Sequence, residues 1–275
     1  MTDDLEQYTQ LAASGPYGVA IGSSLITMVE PLPGHEYAYN RWYEDDHFYA
    51  GAMAMPWMFG GRRWVAPRDL QALRIPKDSS IAQPVELGKY ISTYWITEGR
   101  YDDHLRWSVA TNQRLLADKR VFLDRDHIFT AFQRYLGPVY KSDEGPRDIH
   151  AFDYPFKGLV VEVIDAPEGS DTDGVVEYIR NERGPVVFGA GVGLGTLFTP
   201  FPLPEDKMSY VKQPDALGRR VTALWFTEGD VRDSWEVGFA GAVVQTAKSG
   251  AGKCELIAPF QPTIPGTNKY VDELR

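Results

Sequence analysis

A short pattern occurs twice in this chain, and the repeat constrains the fold more than any other feature. Residues 94–99 read Tyr-Trp-Ile-Thr-Glu-Gly, and residues 224–229, which lie 130 positions later, read Leu-Trp-Phe-Thr-Glu-Gly. In both copies a run rich in β-formers (89–97 and 220–227) precedes the glycine, and a polar turn with a helix-like pattern follows it. We therefore predict a strand–turn–helix unit that is present twice.

The elements around each copy also come in the same order. Strands are predicted at 23–30 and 158–165, and each precedes a proline-containing turn and a helix, at 37–50 and 172–181. Further strands are predicted near 61–66, 128–135, 192–198 and 254–259. Each half then reads β-α-β-β-α-β, the ferredoxin-like arrangement.

These elements divide the chain into a lead-in (1–20), a first half (21–140), a charged linker with proline and glycine (141–157) and a second half (158–275). A four-stranded sheet with both helices on one face leaves its other face bare, and two such faces bury each other. We predict an α+β fold of two tandem ferredoxin-like repeats packed sheet to sheet within one chain. Such a pseudo-dimer is self-contained, and further homo-oligomerisation is optional.

Charge and cysteine content restrict the partners and the compartment. The net charge of −10 argues against sequence-independent binding to nucleic acid or to anionic membranes. With Cys254 as the single cysteine no internal disulfide can form, which favours a reducing, cytoplasmic location. The longest uncharged stretch, 184–204, contains too many glycines and prolines for a membrane helix, and the acidic N-terminus does not resemble a signal peptide.

The first predicted helix contains the segment Tyr-Asn-Arg-Trp-Tyr-Glu-Asp-Asp-His at 39–47. This segment resembles the first-helix motif of EthD-like members of the dimeric α+β barrel superfamily, in which an aromatic pair precedes a histidine. The resemblance implies a pocket between sheet and helices, used by cofactor-independent cyclases, lyases, decarboxylases and monooxygenases, and in some branches by haem. The second half departs from the motif, with Glu182 where His47 would stand.

The two halves differ in their reactive residues. All five histidines and five of the seven tryptophans lie in the first 150 residues, and the repeat spacing puts Ser234 where the first half has His104. We therefore interpret the first half as active and the second as a scaffold that replaces a partner subunit.

His47 is the principal catalytic candidate. Tyr39, Tyr43 and His47 lie four residues apart and form one stripe of a helix, and Trp42 and Asp46 belong to the neighbouring stripe. His47 would act as a general base that Asp46 orients, while Tyr43 stabilises an enolate or phenolate oxygen. The alternative is that the tyrosines are packing residues and His47 interacts with the helix dipole.

A second candidate is His104, which follows Asp102 and Asp103, both suitable N-caps, at the start of another helix. A helix N-terminus lowers the pKa of a histidine and keeps it neutral, as an electrophile or base requires; the alternative is an exposed first-turn residue. The remaining histidines, His35, His127 and His150, are interpreted as structural.

Residues 52–61, rich in methionine, aromatics and glycine, form either a pocket wall or lid or an ordinary buried loop. Of Arg62 and Arg63, which alternate on the next strand, one would face the pocket or else pair with a surface acid. The predicted substrate-binding residues are Tyr39, Asn40, Trp42, Met55, Trp57, Arg63, Tyr94 and Trp95.

Familiar cofactor signatures fail on spacing. The alternating glycines at 189–195 do not match the dinucleotide fingerprint, and close packing of a glycine-rich strand explains them better. No metal-ligand spacing is present. The expectation is a cofactor-independent enzyme that transfers protons on a bulky apolar, aromatic or polycyclic molecule; the alternatives are a cofactor-free monooxygenase and a non-catalytic binder of a hydrophobic ligand or of haem, with His47 or His104 as axial ligand.

Overall fold

The computed structural model describes residues 18–203, 205 and 212–275, together with residues 6, 9 and 10. Most of the predicted lead-in therefore lies outside the described residues. The strands are β1 (Ile21–Pro31), β2 (Met58–Val65), β3 (Tyr90–Thr97), β4 (Arg125–Tyr140), β5 (Gly158–Asp165), β6 (Val192–Pro200), β7 (Arg220–Thr227) and β8 (Lys253–Pro262). The α-helices are α1 (Glu36–Trp42), α2 (Arg68–Leu73), α3 (Tyr101–Ala117), α4 (Asp173–Tyr178), α5 (Gly184–Gly189), α6 (Val231–Gly238) and α7 (Ala242–Ser249).

The eight strands close into one antiparallel barrel in the order β1-β3-β2-β8-β5-β7-β6-β4. Each half contributes the ferredoxin-like order, β4-β1-β3-β2 in the first and β8-β5-β7-β6 in the second. The halves are joined where β2 pairs with β8 and where β4 pairs with β6. The predicted fold class, two ferredoxin-like halves that form an α+β barrel within one chain, is confirmed.

The first helix of each half differs from the prediction in its geometry. After α1 the chain continues in two wide, π-helical turns, Tyr43–His47 and Tyr49–Met53, and α4 continues in one, Ile179–Arg183. Asp230 caps α6 by accepting from Arg232 N, whereas Asp102 and Asp103 lie inside the first turn of α3. Within the described ranges, no helix has both the length and the apolar character needed to cross a bilayer.

Aromatic side chains fill the barrel interior. The ring of Trp95 stacks 4.2 Å from Phe152 and 5.4 Å from Phe198, and Trp64 lies 5.9 Å from Phe226. Phe152 belongs to the segment between the halves, so this connection contributes to the core. Burying such rings supplies much of the hydrophobic stabilisation of a domain.

The sequence repeat and the structural repeat differ by one residue. The sequence repeat aligns Trp95 with Trp225, whereas the strand register makes Trp95 equivalent to Phe226. Next to the bulge in β2, Gly60 pairs with Trp95, and next to the bulge in β6, Leu194 pairs with Phe226. Trp95 and Phe226 both face the barrel interior and contact Phe152. Trp225 lies on the opposite face of its strand, so the two tryptophans of the repeat are not equivalent.

A buried ion pair occupies the space between sheet and helices in the second half. Arg183 Nε donates to both carboxylate oxygens of Glu162 at 3.0 and 3.1 Å, and both side chains are fully buried. Trp225 Nε1 donates to the same carboxylate at 2.8 Å, and Arg183 Nη1 donates to Gly238 O at 2.6 Å. Such a pair is costly to break, because removing one partner leaves an uncompensated buried charge.

We expect Arg183→Met to lower the free energy of unfolding by about 3–5 kcal/mol, because Glu162 loses its cation. Chemical denaturation of the purified variant measures this change. The matched control is Glu182→Ala, one residue earlier on the exposed face, which should change stability by no more than about 0.5 kcal/mol. Equal effects of the two substitutions would contradict a structural role for the ion pair.

Candidate functional site

The first half contains a pocket between its sheet and its helices. The pocket has a cavity of about 130 Å³, close to the roughly 150 Å³ of a cavity that holds benzene. Most of its lining atoms are apolar, as in ligand-binding pockets generally. The lining residues are Leu25, Thr27, Val29, Tyr43, His47, Gly51, Ala52, Tyr94, Leu105, Ser108, Val109, Asn112, Arg125, His127, Thr130, Phe132 and Leu203.

His47 ends the first wide turn after α1 and contributes its imidazole to the pocket wall. The ring stacks on Trp42 at 4.2 Å and meets the edge of Tyr43 at 5.2 Å. A Cβ atom on Gly51 would overlap the imidazole, so glycine at this position makes room for it. Nδ1 is buried without a hydrogen-bond partner. Wide turns of this kind occur frequently at functional sites.

Burial keeps His47 neutral. Burial first, and then the nearby Arg125 guanidinium, lowers the pKa of His47 from its ordinary value of 6.5 to about 3. His127 and Arg63 add smaller contributions of the same sign. The imidazole therefore presents a lone pair, and it can hold a proton only when a negative charge forms beside it.

Two tyrosine hydroxyls meet in the pocket wall. Tyr43 Oη and Tyr94 Oη lie 2.6 Å apart and are buried. Burial, followed by the neighbouring Tyr43, raises the pKa of Tyr94 well above its usual value. Tyr94 is therefore a neutral hydrogen-bonding group at physiological pH.

A chain of hydrogen bonds crosses the pocket wall at β4. Arg125 Nε donates to His127 Nε2 at 3.3 Å, so His127 carries its hydrogen on Nδ1 and donates it to Thr130 Oγ1 at 2.7 Å. Thr130 Oγ1 lies 2.7 Å from Thr27 Oγ1. The contact between the two threonine hydroxyls uses only one of their two hydrogens. The second hydroxyl hydrogen has no acceptor among the described residues, so it is available as a donor to a ligand in the pocket.

Arg125 is the positive group of the pocket. Its guanidinium lies 4.5 Å from the ring of Trp42, the same ring on which His47 stacks. Nη1 is buried and has no hydrogen-bond partner. No carboxylate of the described residues forms an ion pair with Arg125.

Several residues predicted for the site lie elsewhere. Asp46 does not orient His47, because its carboxylate pairs with Arg120 at the surface. Tyr39 is a core residue that packs on Tyr90 at 5.2 Å. These two side chains stand beside the site and do not line it.

Other predicted binding residues hold the fold together. Asn40 Nδ2 donates to Thr267 O at 2.9 Å and so fastens the C-terminal tail to α1. Arg63 pairs with Glu44 and lies 4.3 Å from the Tyr43 ring. The Asn40–Thr267 hydrogen bond and the Arg63–Glu44 ion pair both hold the segment that carries Tyr43 and His47.

His104 is completely buried, so the alternative of an exposed first-turn residue is wrong. Its Nδ1 lies 2.9 Å from Pro56 O, and its Nε2 is buried without a partner. Burial lowers its pKa, which the Pro56 carbonyl partly opposes. His104 does not line the pocket, and neither do Met55, Trp57, Trp42 or Trp95.

Sequence reasoning missed the residues of β4 and one residue of the second half. His127, interpreted as structural, lines the pocket together with Arg125 and Thr130. A bulge at this point of β4 changes the alternation of side chains, so spacing alone could not place them on one face. Leu203, in the connection after β6, shows that the second half also contributes to the pocket wall.

In the second half, side chains fill the space between sheet and helices that corresponds to the pocket. Strand register matches Thr27 with Glu162 and Tyr94 with Trp225, and the ends of the wide turns match His47 with Arg183. The second-half residues are the buried ion pair and the tryptophan bonded to it. Glu182, predicted to stand in the place of His47, is instead exposed.

The residues of the pocket do not fit a haem, which the sequence left as an alternative. The cavity is smaller than the roughly 300 Å³ at the lower end of pockets for drug-sized ligands, and a porphyrin needs more space than that. His104, the other predicted axial ligand, does not line the pocket. No cluster of three or more metal-ligating residues is present among those described.

Fold and site define an intramolecular α+β barrel of two ferredoxin-like halves with a small pocket in the first half. No protein-family model and no curated protein matches the chain. A solved anthrone oxidase-like protein superposes with a TM-score of 0.54 at 7% identity, over 89% of this chain and 92% of that chain. A proposed monooxygenase from Fusobacterium nucleatum gives 0.48 at 16% identity, over 89% and 94%. At such identities the likeness is one of fold alone.

The buried histidines should make stability depend on pH. Burial lowers the pKa values of His47 and His127 to about 3, so below pH 6.5 the unfolded chain binds protons that the folded chain does not. The free energy of unfolding should then fall as the pH decreases from 6.5 towards 3, by up to about 1.4 kcal/mol per pH unit for each histidine. Denaturation across this range should show a shallower slope for His127→Gln. The control Asn112→Ala, in the same wall, should keep the wild-type slope; parallel curves for all three proteins would contradict the prediction.

Proposed function

We propose that the pocket of the first half is the site of an enzyme that transfers a proton on a compact, single-ring aromatic molecule without a cofactor. The observation that carries this proposal is the neutral imidazole of His47 in an apolar pocket wall, with its ring 5.2 Å from the ring of Tyr43, whose hydroxyl contacts that of Tyr94. Of the bulky aromatic or polycyclic molecules expected from the sequence, the cavity volume favours one with a single ring. The EthD-like resemblance of residues 39–47 is part of the same proposal, because Tyr43 and His47 of that segment both line the pocket.

The low pKa of His47 defines how the transfer can work. An isolated imidazolium is unstable here, because it is desolvated and close to Arg125. When His47 takes a proton from a substrate O–H or C–H group, the bond electrons stay on the substrate, which becomes an anion. That anion offsets the charge of the imidazolium and is itself stabilised by Arg125, so the charges that form balance one another.

Two other functions use the same pocket. Cofactor-free oxygenation would begin with the same deprotonation and then consume O₂. Binding without turnover is favoured by the pKa of His47 itself, since a base is most effective when its pKa lies near the working pH.

The test follows proton transfer directly. A panel of single-ring phenols and enolisable carbonyl compounds is incubated with the protein in D₂O, and solvent deuterium incorporation at carbon is measured by NMR, with O₂ consumption recorded in parallel. We expect exchange for at least one compound, and His47→Gln should reduce it by roughly 10²- to 10⁴-fold.

The matched control is Asp46→Asn, which changes the neighbouring acid at the surface and should retain exchange within a few-fold. Exchange accompanied by O₂ uptake would favour the oxygenase version. Saturable binding of panel compounds without exchange or O₂ uptake would favour the binder. A loss in Asp46→Asn equal to that in His47→Gln would overturn the assignment of His47.

A further inference from the structure

Arg125 differs from the other arginines that the fold buries. Arg63 pairs with Glu44, Arg183 with Glu162 and Arg220 with Asp165, and Arg74 donates to three backbone carbonyl oxygens, so each has oxygen acceptors. Arg125 has none among the described residues, and its one hydrogen-bond acceptor is His127 Nε2. In a chain with ten more acidic than basic residues, a partly buried cation without an anion needs an explanation.

The surroundings of Arg125 hold its guanidinium in place. One face lies against Trp42, and Nε is fixed by its bond to His127. Nη1 is then left buried and unpartnered at the pocket wall. A guanidinium fixed in this way presents N–H groups in a fork that matches the oxygens of a carboxylate or the oxygen of a phenolate.

The hydroxyl donor of the same wall points to the same chemistry. The chain from Arg125 through His127 and Thr130 to Thr27 ends with one hydroxyl hydrogen that no described residue accepts. A cation and a free hydroxyl hydrogen therefore lie on one side of an otherwise apolar cavity of about 130 Å³. Both are donors, and the described part of the wall supplies no carboxylate to oppose an anion.

We infer that the pocket selects a compact aromatic anion, a carboxylate or phenolate, whose oxygen binds Arg125 and the hydroxyl of the Thr27–Thr130 pair. This inference rests on the proposed function for the location of the site and deepens it by naming the class of ligand. It does not require that His47 act as a base. Binding can therefore be tested separately from turnover.

The experiment compares benzoate with its neutral isostere benzamide by calorimetric titration of the full chain at pH 7.5. Benzoate should bind at least about 10-fold more tightly than benzamide, and Arg125→Gln should lower the affinity for benzoate by roughly 10- to 100-fold while leaving that for benzamide unchanged. Arg125→Lys, which keeps the charge without the fork, should recover part of the loss. His47→Gln should still bind benzoate in preference to benzamide, even if it has lost proton exchange.

The matched control is Arg120→Gln. Arg120 also contributes to the positive field at His47, but it is exposed and already paired with Asp46. It should keep the wild-type ratio of the two affinities. An equal loss in Arg120→Gln and Arg125→Gln would show a long-range charge effect and overturn direct binding.

A second probe needs only the wild-type protein, so it is independent of how the variants fold. The bound form of 4-nitrophenol should be its coloured phenolate, so the visible absorption of the phenolate should increase on addition of protein below the pKa of the free phenol. Absence of this increase, equal affinities for benzoate and benzamide, or no binding of either would each overturn the inference.

Discussion

Closure of the sheet is the constraint on which the rest of this structure depends. Each four-stranded half by itself would expose a bare apolar face and two unpaired edges to water. The β4·β6 seam extends from Gln133↔Pro200 to Tyr140↔Leu194, whereas the β2·β8 seam consists of two residue pairs. Joining both seams removes the edges and buries the aromatic rings between the sheets. The helices, and the pocket beneath them, are thereby left on the outside of a rigid barrel.

The two halves use the same space between sheet and helices in different ways. In the second half the positions of Thr27, Tyr94 and His47 are taken by Glu162, Trp225 and Arg183, which bond to one another and leave the space filled. In the first half smaller or neutral side chains leave a cavity, and the positive charge of Arg125 has no counter-ion among the residues that the structure describes. The buried ion pair fills this space in the second half, whereas the first half keeps a cavity beside Arg125.

The first half nevertheless depends on the second for its pocket. The C-terminal tail, after β8, receives a hydrogen bond from Asn40, and Gly266 N donates to Glu44 at 2.9 Å. These contacts fix α1 and the wide turn that carries Tyr43 and His47. Leu203 completes the wall from the other side. The interpretation of one active half and one scaffold half is therefore too simple in this respect.

The sequence by itself determined the order of the elements. Strands β5 and β7 begin and end where the β-branched runs at 158–165 and 220–227 do, because a strand buried on both faces is recorded directly in its composition. The sequence also indicated the half that carries the pocket, since His47 and Tyr43 are grouped in one short segment without a counterpart later in the chain.

Only the tertiary structure decided which side chains meet. The strand register aligns Trp95 with Phe226, so Trp95 and Trp225 lie on opposite faces, and a bulge in β4 brings His127 and Thr130 to the same wall. A single extra residue moves the side chains that follow it to the opposite face of the sheet. The alternation of inward and outward side chains, counted along the sequence, therefore fails at each bulge. Arg125, Thr27 and Leu203 come from three distant segments, and no spacing relates them. Their proximity results from strand pairing across the barrel, which is a property of the closed fold.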